Sequence, residues 1–291
     1  MPVSSSAAAT GLDPRLTPAR PDLAAAELEG IVSAPRYVAG EARRIAVPAA
    51  PLRRRRAGDA PLETEALFGE TARVFETDGE GWSWVQLDAD HYVGYLPSDA
   101  LAPLAATPTH KVVALRTFVF PGPDIKLPPR EALVMGSRVA VREVRGAFAV
   151  TPDGFLPLVH LAPIDAREND FVAVAARFLG VPYLWGGRSS LGIDCSGLVQ
   201  SALAAAGIAA PRDSDMQEAA LGEEVPLGGP VRRGDLFFWP GHVAIAETEE
   251  TLLHANAFHM AVARESRAGA VARIGDAGLA LRRIRRLAPA P

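Results

Sequence analysis

Cysteine is almost absent: Cys195 is the single one in 291 residues. No internal disulfide can form, which fits a reducing compartment without requiring one. One cysteine and six scattered histidines lack the closely spaced ligand pairs of a zinc site, so neither a metal nor another cofactor is expected. Charge of neither sign is in marked excess. A net charge of −4 sets up no field that would draw in nucleic acid or an anionic membrane, and neither partner is expected. The basic run Arg53 to Arg56 is followed by glycine, an acid and proline and reads as a solvated loop. Apolar runs long enough to span a bilayer are missing. The opening MPVSSSAAATGLDPRL has neither a charged start nor the apolar core that directs secretion. A soluble, cytoplasmic monomer is the expectation.

What is present is ordinary globular material, 48% apolar and 22% charged, with length for two or three domains. The most informative stretch is Val181 to Gln200, VPYLWGGRSSLGIDCSGLVQ. Behind it, the alanine- and leucine-rich segment Ser196 to Ala206 stops at Gly207, a residue suited to a left-handed helix cap. Cys195 thus falls in the first turn of a helix. Unpaired N–H groups and the positive end of the dipole favour thiolate there, so a thiol pKa below the usual ~8.5 is expected. Gly186, Gly187 and Gly192 in the preceding loop would let a substrate backbone approach closely. Asp194 suits the helix cap and, one residue before the cysteine, suits a cationic group of a substrate as well. A lone cysteine is more often buried and inert, but its polar neighbours Asp194 and Ser196 and the glycines favour a nucleophile.

A thiol nucleophile needs a base, and the base needs an orienting partner. His242 lies in DLFFWPGHVAIAE and His254 in TLLHANA. Strands are expected over Asp235 to Trp239, His242 to Ala246 and Thr251 to Ala255, separated by turns at Pro240-Gly241 and Glu247 to Glu250. Adjacent antiparallel strands can set His242 and His254 side by side on one face, with the Cys195 helix packed against that face. His91, His110, His160 and His259 show no partner pattern and read as structural or surface residues.

DCSGLVQ, GDLFFWPGHVAI and LLHAN together resemble the NlpC/P60 cysteine peptidase family, over about Ala162 to Leu287. The resemblance implies a papain-like fold in which Cys195 attacks, His242 is the general base and His254 orients it. As bare aromatics, Tyr183 and Trp185 of PYLWGG suit core packing; the resemblance implies the alternative that they line the cleft, and further that Asp194 and Ser196 flank the substrate and that Ser214 of PRDS contacts it.

Upstream, Thr64 to Leu101 alternates apolar and polar residues between closely spaced turn signals, the pattern of a small barrel. It resembles bacterial SH3-type domains. A poorer copy runs from Lys111 to Leu161, where GFLPLVHL echoes GYLPSDAL. Met1 to Thr10 is expected to lack fixed structure, Leu23 to Ile31 to form a short helix capped by Asp22, and Asp165 to Leu179 a longer one. The expected fold is α+β: a papain-like domain, helix on antiparallel sheet, behind two small SH3-like barrels. The boundaries are an N-terminal extension with a short helix at 1–40, barrels at 41–104 and 105–163, and the catalytic domain at 164–291.

This layout resembles the γ-D-glutamyl-diamino acid endopeptidases that act in murein peptide recycling. The likeness implies a small peptide substrate, L-Ala-γ-D-Glu-diamino acid with diaminopimelate in the last place, cut before the diamino acid. A free N-terminal L-Ala would be held by a Glu and a Tyr of the first barrel. LFGE and HYVGY point to Glu70 and Tyr92 for those places. Two other readings stand beside it: a non-catalytic wall-peptide binder, against which the intact Cys, His, His set argues, and an amidase or acyltransferase on the same scaffold.

Overall fold

The computed structural model describes residues 11–288; the expectation for Met1 to Thr10 lies outside them. Alternating residues between Glu41 and Pro103 build one seven-stranded sheet. Its spatial order is Leu101–Pro103, Glu41–Ile45, Thr71–Thr77, Trp82–Leu87, Val93–Pro97, Ala49–Arg53, Leu62–Leu67. Period-two burial gathers Ile45, Ala50, Leu52, Ala66, Val85, Leu87 and Leu96 into one core, which Tyr92 joins.

The expected helix at Leu23 to Ile31 is a strand, Leu23–Ala25, followed by a single 3-10 turn, Ala26–Leu28. Leu23 and Ala25 are fully buried against Phe75 and Trp84 of the first barrel, and the strand pairs with Tyr37–Val38. A helix would bury one stripe, whereas Leu23, Ala24 and Ala25 are all enclosed, so tertiary packing overrides helix propensity. Asp22 pairs with Arg20 instead of capping. The segment is therefore packed onto the first barrel rather than extended from it.

The repeat seen in the sequence recurs as geometry. Val93–Pro97, a 3-10 turn at Ser98–Ala100 and Leu101–Pro103 are matched by Gly154–Pro157, a 3-10 turn at Leu158–His160 and Leu161–Pro163. The second unit has its own core of Val112, Val119, Leu133, Val139 and Leu156, completed by Phe68 from the first. The two backbones meet at Gly69, where φ is +77° and a Cβ would stand 2.0 Å from the Arg138 carbonyl oxygen. Glycine is the residue that permits this approach.

In the remainder, helices α1 (Phe171–Ala176), α2 (Cys195–Ala205), α3 (Ser214–Ala220) and α4 (Arg267–Asp276) surround a six-stranded antiparallel sheet. The strand order is Glu223–Val225, Arg283–Arg286, Leu236–Trp239, His242–Ala246, Thr251–Asn256, Ala261–Ser266. α1 begins six residues later than Asp165 because Asp170, not Asp165, caps it, accepting from Val172 and Ala173 N–H. α2 ends as expected, with Gly207 at φ +76°. Val243, Ile245, Leu253 and Ala255 pack with Leu198, Val199, Ala202 and Leu203 of α2. The alternate residues Ala244, Ala246 and Leu252 pack with Ala270 and Ile274 of α4 on the other face. No helix among the described residues is long and apolar enough to cross a membrane.

The first barrel docks on the loop before Cys195 through its strand Leu62–Leu67. Arg188 forks onto Glu70, with Nη2 to Oε1 at 2.5 Å and Nη1 to Oε2 at 3.2 Å, and its backbone N–H donates to Glu65 Oε2 at 2.8 Å. Arg188 and Glu70 are both buried. A buried pair that loses one member leaves the other charge desolvated and unmatched. Arg188→Ala should therefore destabilise the protein by about 3–5 kcal/mol in urea denaturation, and Glu70→Leu with Arg188→Met should recover most of that loss. A loss below about 1 kcal/mol for Arg188→Ala would show that this pair does not hold the units together.

Candidate active site

Asp194 caps α2 and is the centre of a buried network. Its Oδ1 accepts from Gly197 N–H at 2.7 Å, Ser196 Oγ at 3.2 Å and Arg212 Nη1 at 3.0 Å. Its Oδ2 accepts from Gly186 N–H at 2.9 Å and Arg212 Nη2 at 2.7 Å. Five donors use up the capacity of one carboxylate, so Asp194 has no free oxygen for the substrate cation expected from the sequence. Ser196 joins the same network, its Oγ accepting from Arg212 Nη1 at 3.0 Å while donating to Asp194. Both are engaged in the network around the cysteine.

Cys195 is the first residue of α2, with the backbone N–H groups of Val243 and Ser196 near its sulfur. Its thiol is nonetheless pushed up to about 12, first by burial and then by the Asp194 carboxylate. The expectation of a depressed pKa is corrected here. The helix terminus is present, but the residue that caps it is an anion beside the sulfur, and the sulfur is buried.

His242 Nε2 and His254 Nδ1 are 2.9 Å apart. The register Ile245 to Leu253 places Ala244 opposite His254, so His242 lies diagonally across on the same face, within side-chain reach. By strand alternation this is the α4 face, not the face that α2 covers, contrary to the simplest expectation. The Cys195 sulfur lies near the start of the His242 strand instead, close to the N–H of Val243. Burial pushes His242 down to about 3, with His254 and Arg273 adding to the effect. Burial likewise takes His254 down to about 4, against the pull of Glu265. At neutral pH the resting site holds a thiol and two neutral imidazoles.

Tyr183 is half-buried against the core, with its phenol pushed up by burial and by the nearby Cys195 and Asp194. Trp185 is 66% exposed and belongs to the rim rather than the core. Ser214 opens α3 and is partly buried. Gly186, at φ +74°, is pressed by the first barrel: a Cβ there would lie 2.5 Å from the Leu62 carbonyl oxygen.

Of the two barrel residues expected in an amine pocket, Tyr92 meets two carboxylates and Glu70 does not join them. Glu70 is turned inward onto Arg188 and onto Leu67 N–H. The carboxylates facing the Tyr92 hydroxyl are Asp213 Oδ2 at 3.0 Å and Glu63 Oε2 at 3.3 Å. Burial and these two acids drive the phenol above its usual range. Glu63 stands seven residues before Glu70 in the same acidic run, and no spacing rule distinguishes them. Arg15 Nη1 donates to Asp213 Oδ2 at 2.7 Å and Arg54 to Glu63, so two guanidiniums border this cluster. Asp213, Glu63, Arg212 and Glu265, which accepts from His254, were all beyond sequence reasoning, because each meets its partner only through the fold. His254, His259 and Glu265 bring potential metal-donor atoms within 4.8 Å of one another. Both His254 nitrogens and the Glu265 carboxylate are already engaged by protein groups.

A cysteine at a helix N-terminus beside a hydrogen-bonded histidine pair on an antiparallel sheet defines the papain-like class of α+β domain. Residues 180–272 match the NlpC/P60 family and residues 52–101 match the bacterial dipeptidyl-peptidase SH3 domain. The chain carries an NlpC/P60 peptidase-family domain behind a bacterial SH3 domain. It is 29% identical to dipeptidyl-peptidase 6 of Lysinibacillus sphaericus over 68% of this chain and 81% of that one. It is also 29% identical to gamma-D-glutamyl-L-lysine dipeptidyl-peptidase of Bacillus subtilis (strain 168), over 62% of this chain and 65% of the relative. The fold is shared with an NlpC/P60 family protein of Bacillus cereus ATCC 10987, at a TM-score of 0.72 and 20% identity, covering 86% of this chain and 100% of that chain.

Protons bear on stability here with a definite sign. Unfolded histidines titrate near ~6.5, whereas His242 and His254 hold out to about 3 and about 4. Between these values the unfolded chain binds protons that the folded chain refuses, so stability falls as pH drops from about 6.5 toward about 3. Thermal melts from pH 7 to pH 4 should show this decline in the wild type and a shallower one in His254→Gln. Parallel profiles would mean that His254 is not a buried neutral group.

Proposed function

We propose that this protein is a cysteine endopeptidase that hydrolyses the bond between γ-D-Glu and the diamino acid, diaminopimelate, of small wall peptides bearing a free N-terminal L-Ala, in the turnover of murein peptides inside the cell. The observation that carries the chemistry is the 2.9 Å His242–His254 contact, on the strand whose Val243 N–H lies near the Cys195 sulfur. With both partners neutral at rest, the thiol proton passes to His242 as sulfur attacks the carbonyl carbon, forming a tetrahedral intermediate. The N–H of Cys195, in the unpaired first turn of α2, is the donor suited to the developing oxyanion. His242 then delivers the proton to the leaving amine. Water, deprotonated by the same imidazole, cleaves the thioester and regenerates the thiol. No cofactor enters these steps.

Support for a γ-D-glutamyl bond comes from the relative named gamma-D-glutamyl-L-lysine dipeptidyl-peptidase, whose diamino acid is lysine, and support for the free amine from the Tyr92 cluster. A free ammonium is suited to the group formed by Tyr92, Glu63 and Asp213, entering alongside Arg15 and Arg54. Hydrogen bonds to charged groups contribute roughly 1.5–3 kcal/mol each, so N-acetylation should lower kcat/KM at least about a hundredfold.

Two measurements test this reading. Cys195→Ala should abolish hydrolysis of L-Ala-γ-D-Glu-diaminopimelate with an unchanged melting temperature, since no disulfide or cap is lost; residual turnover above about 1% of wild type would remove Cys195 from the mechanism. Discrimination against the N-acetylated peptide should shrink in Glu63→Gln, Asp213→Asn and Tyr92→Phe. Equal rates on both peptides in the wild type would rule out a closed amine pocket.

A further inference from the structure

The histidine pair is not the end of the hydrogen-bonded chain. His254 Nε2 lies 3.1 Å from Glu265 Oε2, and Glu265 is gripped by both nitrogens of one Arg273 fork, Nε to Oε1 at 2.9 Å and Nη2 to Oε2 at 2.7 Å. Arg273 in turn stacks 4.4 Å over the ring of Phe258. These residues come together through register. His254 pairs with Ala263, so Glu265 sits diagonally across the same face, and α4 follows directly and carries Arg273 back over it.

We propose that Glu265 is a positioning residue that fixes the tautomers of both histidines and thereby leaves His242 Nδ1 as the proton acceptor. This rests on the reading of Cys195 and His242 as nucleophile and base. Arg273 holds the Glu265 carboxyl below its usual range, so the group is ionised and can only accept. Facing an acceptor, His254 Nε2 must carry its hydrogen. In a neutral imidazole the other nitrogen then has the lone pair, so His254 Nδ1 accepts from His242 Nε2–H at 2.9 Å. The lone pair of neutral His242 is thereby confined to Nδ1, which makes no hydrogen bond among the described residues.

The consequence for the reaction follows by counting protons. When the thiol proton reaches His242 Nδ1, the imidazolium donates from Nε2 to His254, whose own Nε2–H still donates to Glu265. No proton leaves the chain, and a net negative carboxylate faces the new cation through one neutral ring. The Arg273 fork also tempers Glu265, which otherwise would favour a charged His254 at rest and block it as an acceptor. The groups that bear on His254 are thus His242, Glu265, Arg273 and His259.

Replacing Glu265 by Gln keeps the size but supplies an amide hydrogen. The amide can donate to His254 Nε2, which reverses both tautomers and puts a hydrogen on His242 Nδ1, where it opposes proton uptake. In wild type, long-range 1H–15N NMR should show neutral His254 and His242 as Nε2–H tautomers; Nδ1–H at His254 in wild type would overturn the proposal without any variant. Glu265→Gln should shift His254 toward Nδ1–H and lower kcat on the order of a hundredfold or more with KM nearly unchanged, since a wrongly held tautomer is costly to acid–base catalysis. Glu265→Asp, which keeps the charge, should retain the Nε2–H tautomer and lose roughly tenfold or less. A Glu265→Gln enzyme within threefold of wild type, with His254 still Nε2–H, would refute the role. Activity in Cys195→Ala would instead defeat the underlying reading, and the tautomer spectra would still judge Glu265.

Discussion

The buried pair of Asp194 and Arg212 is the contact on which the site depends. Asp194 caps the cysteine helix and holds the Gly186 N–H of the glycine loop, while Arg212 reaches the Gly187 carbonyl, Ser196 and, through Nε at 2.8 Å, Thr64 Oγ1 of the first barrel. Four segments distant in sequence meet on two side chains. A carboxylate and a guanidinium this deeply buried are tolerated only when all their lone pairs and protons are used, and the network meets that condition. The same carboxylate that organises the helix also discourages a resting thiolate. On the proposed reading, positioning and chemical activation thus pull in opposite directions at Cys195, and the histidine pair supplies what the helix dipole does not.

This arrangement explains why the barrel and the catalytic domain act as one unit. The strand Leu62–Leu67 contributes Glu63 to the Tyr92 cluster, Thr64 to Arg212, and Glu65 to the Arg188 N–H. Side chains of both parities along one strand therefore serve the cleft. The barrel's closeness to Gly186 leaves no room for a Cβ, so the loop before the nucleophile is shaped by a neighbouring domain. Substrate length selection, on the proposed reading, is a property of this junction rather than of either domain.

Much of the candidate site was legible before any coordinates. Cys195, His242 and His254 could be named because each sits inside a local pattern: a helix with a glycine stop, or alternating strands broken by turns. Tyr92 was reached through its resemblance to a barrel motif. Glu70 does not meet Tyr92 and Glu63 does, a difference the sequence does not mark: LETE and LFGE both carry glutamate, and Glu70 turns inward to Arg188 after the positive-φ Gly69. Glu265 lay in a strand, Ala261–Ser266, that carries too little apolar alternation to stand out, with α4 behind it equally unmarked.

The sequence by itself determined the element types around the site, the cysteine at a helix start, the two histidines on neighbouring strands and the small β units ahead of them. Those follow from periodicity and turn chemistry, which act over a few residues. Only the tertiary structure decided which face the histidines occupy, which acid meets Tyr92, how high the thiol stands and what lies beyond His254. Each of those depends on burial and on charges contributed from elsewhere in the chain, from one strand away for Glu265 to more than a hundred residues for Tyr92 and Asp213. Dielectric and long-range pairing are set by the packed whole, and no local pattern encodes them.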